Sequence, residues 1–288
     1  MASEFTTIPL DEPISLEVRL GRGRLEIVMN DDATDATVQL TPHSPGSELI
    51  ERITVELRGR KLIVTGPRQG GLADLVRGWL TKDAVDARIE VPAGTAYSIA
   101  SASDEIIVSG RSGDADIATA ASRITLDTVA GNLRLRCGQS ECRVNAVAGT
   151  VRAHGGSGST YIGDVGGAFT GNLGRGEIEL QAAHGPVRAR SGHGAIRVLA
   201  GYADIDAATG YGAIEIGLPS GIAAQVDATT GMGEVLSPAA VDPRPAPGAT
   251  KIGVRVRTGM GNISFHRVDG SDADSGVDDS GDPNGAAA

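Results

Sequence analysis

Hydrophobic and polar residues alternate along most of this chain. Ile14, Leu16, Val18 and Leu20 alternate with polar partners, and so do Leu25 and Ile27, Ile53, Val55 and Leu57, then Leu62 and Val64. A period of two marks a strand buried on one face, so residues 12–67 are expected to be strands. Asn30-Asp31-Asp32 and the stretch from Pro42 to Gly46 supply turns. Residues 72–80 break the rhythm. Leu72, Leu75, Val76, Trp79 and Leu80 have the spacing of one helix face, which predicts a short helix or loop over 68–85.

From Asp104 to Ser220 the alternation becomes a repeat of thirteen gapless nine-residue units. Position three is apolar in every unit except the one holding Thr160, and position five is apolar or Ala except at Gly171. Position four is polar except at Ile107 and Tyr161. A second rhythm lies above this one. The pattern x-Gly-x-Gly/Ser returns every 18 residues, as CGQS at 137, GGSG at 155, LGRG at 173, SGHG at 191 and TGYG at 209. Two units therefore make one repeat: two short strands with positions three and five inward, joined at a sharp corner that glycine permits. The expected fold class is all-β, a parallel β-solenoid (β-roll or β-helix) with two strands per 18-residue coil. It would occupy residues 86–268 and follow an N-terminal β region, 1–67, continuous with it. Ile178 and Ile196 should then be neighbours in one inward ladder. After residue 220 the rhythm loosens. TGMG returns at 230 and 258 around a Pro-rich loop, 238–248, with GVRVR and NISFHRV as closing strands.

Composition supports a thin core. Gly accounts for 41 of 288 residues and aromatics for 3%, which suits close backbones better than large side chains. Residues 269–288 carry six Asp, no Lys or Arg, and one sizeable apolar residue, Val277. Such a segment cannot offset its ordering entropy, and a disordered acidic tail is expected. The whole chain has a formal charge of −10, which disfavours specific nucleic-acid binding. No apolar run approaches the ~18 residues of a transmembrane helix. The first residues lack the basic start and apolar stretch of a secretory leader, so the expected location is cytoplasmic.

Chemistry is sparse. GGSGSTYIG at 155–163 approaches the calcium-binding nonapeptide, but Thr160 stands where the Asp ligand belongs. His154 sits at position six of its unit, while His184 and His193 sit at position nine of successive units, on different corners. No zinc site follows. Cys137 falls at a corner and Cys142 at an inward position, so side-chain direction argues against a bond and both are expected to be free thiols. No catalytic constellation, cofactor motif or metal site emerges, and a non-enzymatic chain is expected.

Two outer rows carry charge. One brings Arg143, Tyr161, Glu179, Arg197 and Glu215 together, with opposite signs adjacent at the Glu179–Arg197–Glu215 end. The other sheet gathers Arg134, Arg136, Arg152, His154, Arg188 and Arg190 around an uncharged middle of Ala168, Thr170 and Asn172. Asp114 and Asp116 lie at one end of that face, Asp204 and Asp206 at the other. Like charges stacked on one face make a candidate patch for an acidic protein, another anionic surface or the chain's own Asp-rich tail folding back, since the arginine fork suits carboxylates and phosphates.

The run from ARIEVPAG at 87 through the G-x-I-x-V units to TGMGEV at 230 resembles the bacterial putative-adhesin family of β-strand repeat proteins, DUF4097, over roughly residues 10–268. The resemblance implies the repeat fold. Three functional classes follow: a non-enzymatic scaffold or protein-interaction module, which is the favoured one; a surface adhesin exported without a classical signal; and an enzyme with a cleft on the solenoid surface.

Overall fold

The computed structural model describes residues 4–10, 14–44, 50–66, 84–102, 104–236 and 250–268. The helix expected within 72–80, the Pro-rich loop 238–248 and the acidic tail lie outside the described residues. Val85, at the end of the expected helix or loop, already begins a strand, Val85–Pro92.

The described chain is nearly all β. Its only helical element is the single 3-10 turn Ile50–Arg52. The strands form one long sheet in which all but three pairings are parallel. The N-terminal alternation becomes the strands Ser15–Arg19, Arg24–Asn30, Asp35–Pro42, Thr54–Arg58 and Lys61–Thr65. In the repeat region, strands pair with their equivalents 18 residues on. One ladder runs Leu133, Val151, Phe169, Val187, Ile205. The other runs Cys142, Thr160, Ile178, Ile196, Ile214. The long strands Ala115–Val129 and Leu133–Val147 turn the corner without a break and contribute to both ladders.

Inward residues of the two ladders meet in a continuous core of Ile, Val, Leu and Ala. Its largest fully buried side chain, Phe169, explains why position five of its unit is Gly171. A Cβ at Gly171 would come within 2.7 Å of the Phe169 ring. The corner motif has a similar cause. At Gly176 the backbone has φ +132°, and a Cβ would collide with the carbonyl oxygen of Gly158, its equivalent one repeat earlier. Backbones here approach too closely for any side chain.

The ends of the stack depart from chain order. Near the C-terminus, Thr250–Met260 pairs with Ile205–Tyr211, and Ile263–Val268 with Ile214–Pro219. The earlier strands Ile222–Met232 and Val235–Leu236 pair with the far side of that inserted pair. The segments expected as closing strands are thus interior, and 222–236 lies outermost among the described strands. Burial accounts for the order. Ile252, Val254, Val256, Ile263 and Phe265 are buried, whereas Ala224, Val226 and Ala228 are only partly so. The more apolar pair of strands takes the site with neighbours on both sides. The N-terminal end does the same. Ser15–Arg19 lies between Lys61–Thr65 and Ala96–Ser101, and Arg24–Asn30 between Val85–Pro92 and Glu105–Ser112. Antiparallel strands then cover this end: Thr54–Arg58 on Lys61–Thr65, Asp35–Pro42 on Val85–Pro92, and Glu4–Pro9 outside that.

Candidate functional site

The six residues expected to form a cationic face do share one face. Arg134 is in register with Arg152, and Arg136 with His154. Thr170 and Asn172 follow in the next strand, then Arg188 and Arg190. Alternation fixes this arrangement, because Leu133 and Leu135 or Val151 and Ala153 point inward and send the intervening residues out.

The electrostatics are less uniform than the row suggests. Arg136 Nη2 lies 2.9 Å from the Asp116 carboxylate. Asp206 takes both arginines at the other end, Arg190 at 2.6 Å and Arg188 at 3.7 Å. Arg190 donates the bond that holds the Asp206 carboxyl below its ordinary value, with Arg188 and Arg255 adding to the effect and partial burial opposing it. His154 faces Asn172 Nδ2 at 3.4 Å. The carboxylates at the two ends reach toward the middle because arginine stems span more than one strand spacing of ~4.8 Å. Three of the five arginines are paired in this way, by two carboxylates. Arg134 and Arg152 remain exposed, and neither makes an ion pair with any described residue. They line a shallow groove of about 640 Å³ together with Lys61, Asp114, Asp116 and Asn132, and Asp116 stands in register beside Arg134.

A second groove, about 700 Å³, lies beside the first and is lined by Arg136, Cys137, His154, Asn172, Leu173 and Arg190. Both cysteines are free, as expected, but Cys137 is placed closer to Cys142 than its corner position suggested. Alternation from Leu133 and Leu135 continues to Cys137, so its side chain turns inward rather than outward at the corner. Its sulfur lies 4.0 Å from that of Cys142. The hydrogen bond from the Cys142 thiol holds the Cys137 thiol below the ordinary range, and the same bond, with burial, pushes Cys142 up.

The other ladder bears the alternating row as expected, with Glu179 beside Arg197 and Arg197 beside Glu215. Arg197 makes its shortest pair with a residue outside that row, Glu177, at 2.9 Å, against 3.4 Å to Glu179 and 3.8 Å to Glu215. The Glu177 bond is the largest cause of the raised Arg197 pKa. Arg143 stacks over the Tyr161 ring at 5.7 Å. His184 and His193 occupy separate corners and stack on Tyr202 and Tyr211, each at 4.7 Å. Among the described residues no group of three or more His, Cys, Asp or Glu is placed to hold a metal ion. No helix among them is long and apolar enough to cross a membrane.

No family model matches the sequence, and no curated protein does. Solved structures match over most of the chain. A protein described as a putative lipid binding protein, from Parabacteroides distasonis, is 13% identical, with 92% of this chain and 96% of that one covered and a TM-score of 0.40. A putative adhesin from the same organism is 14% identical, covering 93% and 97%, at 0.39. A putative cell adhesion protein from Clostridium sporogenes is 13% identical, covering 93% and 99%, at 0.24. Scores this low transfer neither a site nor an activity, and function has to be argued from the Arg134–Arg152 row itself.

Proposed function

We propose that this chain is a parallel β-solenoid with two strands per 18-residue coil, akin to the putative-adhesin family, that serves as a non-enzymatic protein-interaction module. Its docking surface is the row around Arg134 and Arg152, and its partner is a carboxylate-rich segment of an acidic protein. The carrying observation is that these two exposed arginines stand in register on adjacent parallel strands and neither makes an ion pair with a described residue, although Asp116 stands beside Arg134 on the next strand. Stability alone favours mixed signs at such positions, and the same face pairs its other arginines. Rigid strands hold the two arginines one strand spacing, ~4.8 Å, apart, so that their long side chains can reach two carboxylates of one acidic segment. The reading includes a cytoplasmic location, which cell fractionation tests.

The decisive experiment is binding of a poly-glutamate peptide to wild type and to the double variant Arg134→Glu/Arg152→Glu. Wild type should bind, and binding should weaken between roughly 50 and 300 mM salt as the Debye length more than halves. The double variant should lose affinity by about tenfold or more, equivalent to ~1.4 kcal/mol and to two exposed ion pairs. Wild-type binding that ignores salt, or a variant that binds equally well, would overturn the proposal.

A further inference from the structure

The corner slot that Cys137 occupies holds a Ser or Thr in several other repeats, with Gly155 and Leu173 in the two that follow it. In register with it, or at the same point of other coils, stand Thr119, Ser191, Thr209 and Thr258. Their hydroxyls serve the corner: Ser191 Oγ donates to the Gly176 carbonyl at 3.1 Å, Thr209 Oγ1 to Gly194 at 3.0 Å, and Thr258 Oγ1 to Gly212 at 2.9 Å. Thr119 bonds the Ser122 hydroxyl at 2.5 Å. Cys137 gives up this role. Its sulfur faces the Cys142 sulfur at 4.0 Å instead. The slot facing it is otherwise filled by Ile124, Ile178, Ile196 and Ile214 or by Thr160. Both positions thus depart from the repeat in the same coil, and the two departures face each other.

Access is unequal. Cys142 is buried, and Cys137 is half-buried at the floor of the groove lined by Arg136, His154 and Arg190. Its neighbour in the next strand is Gly155, and the side chain of Leu173 from the strand beyond reaches into the space that Gly155 leaves. Of the two thiols, Cys137 is the more accessible, and its sulfur lies 4.0 Å from that of Cys142.

We propose that Cys137 and Cys142 form an oxidation site, in which a hydroperoxide oxidises Cys137 and Cys142 resolves the product to an intrachain disulfide. The Cys137 thiolate attacks the peroxide oxygen and becomes a sulfenic acid as the O–O bond breaks and the departing oxygen leaves as water or alcohol. The Cys142 sulfur then attacks the Cys137 sulfur, its proton leaves with the hydroxyl as water, and the S–S bond forms. Two thiols lose two electrons and two protons, and the hydroperoxide takes up both. The sulfurs must close from 4.0 Å to about 2.05 Å, which rotation about the side-chain bonds supplies. Groups that lower the pKa of the exposed member and bury its partner are those that make a thiol pair responsive. The inference is independent of the docking role of Arg134 and Arg152.

The test treats the reduced full chain with hydrogen peroxide, quenches it in denaturant with an alkylating reagent, and maps the peptides. The expected result is loss of both alkylatable thiols, a mass lower by two hydrogens, a Cys137–Cys142 linked peptide in a single chain, and reversal by dithiothreitol. In Cys142→Ser the Cys137 sulfenic acid should persist and be trapped by a 1,3-dione. In Cys137→Ser the remaining thiol should resist peroxide while folded. Retention of both thiols in the treated wild type would overturn the proposal. So would linkage only between chains, or over-oxidation of Cys137 without a link. The wild-type map decides the matter even if either variant misfolds.

Discussion

At the scale of single residues, the corner glycines separate two uses of the same amino acid. Gly176 combines a positive φ with a neighbouring backbone that leaves no room for Cβ, whereas Gly94 has φ +78° with nothing within 4 Å of a Cβ. Gly176→Ala should therefore cost roughly 2–4 kcal/mol and Gly94→Ala only about 1 kcal/mol. Paired denaturant melts measure the difference; equal costs would show that conformation alone, not crowding, selects the glycine. Tyr97 presents the reverse case. Its buried hydroxyl makes no hydrogen bond of acceptable geometry, and burial raises its pKa although Ser112 lies near enough to oppose the effect. Tyr97→Phe removes an unsatisfied group and should be at least as stable as wild type. A loss above about 1 kcal/mol would show that Ser112 satisfies the phenol.

At the scale of elements, ladders decide which contacts matter. Ile178 is fully buried and in register with Ile196 and Thr160. Ile178→Asp buries an unpaired carboxylate and should cost at least about 3 kcal/mol; near-wild-type melting would contradict the register. Charges on the ladders act in a different range. The Asp206 carboxyl is held below its ordinary value chiefly by Arg190. Its contribution to stability is therefore present above the ordinary carboxylate pKa, about 3.9, and disappears as pH falls through the depressed folded value. The difference in melting temperature between wild type and Asp206→Asn should be constant near neutrality and shrink under acid. A difference that grows on acidification would contradict the assignment. The pairing of Glu179 with Arg197 was legible from the 18-residue period. The stronger partner, Glu177, was not, because it belongs to the corner rather than to the strand row and only the reach of the arginine side chain connects them.

At the scale of the whole molecule, the notable feature is the insertion of one pair of strands between two others at each end among the described residues. Val254 and Val226 are partners across the last parallel pairing, yet Val254 is buried and Val226 only partly so. Val254→Asp should destabilise by about 3 kcal/mol or more, while Val226→Asp should cost less than half as much. Comparable losses would place strand 222–232 inside the stack and restore chain order. A coil at the end of a stack can be less apolar because it has one neighbour instead of two.

Sequence alone determined the repeat, its period and the faces of its strands, because period-two alternation and a fixed 18-residue spacing are local properties that backbone pairing must obey. It also placed Arg134 beside Arg152 and Ile178 beside Ile196, since one period equals one step along the ladder. The tertiary structure decided what periodicity leaves open. It put residues 250–268 inside 222–236, because order within a stack is settled by how much apolar surface each coil can bury on two sides and not by position in the chain. The N-terminal strands joined the stack for the same reason, though no nonapeptide announces them. Finally, side-chain reach redistributed the charges of the arginine face and turned Cys137 toward Cys142. Both depend on distances across strands and around a corner, which a one-dimensional spacing does not contain.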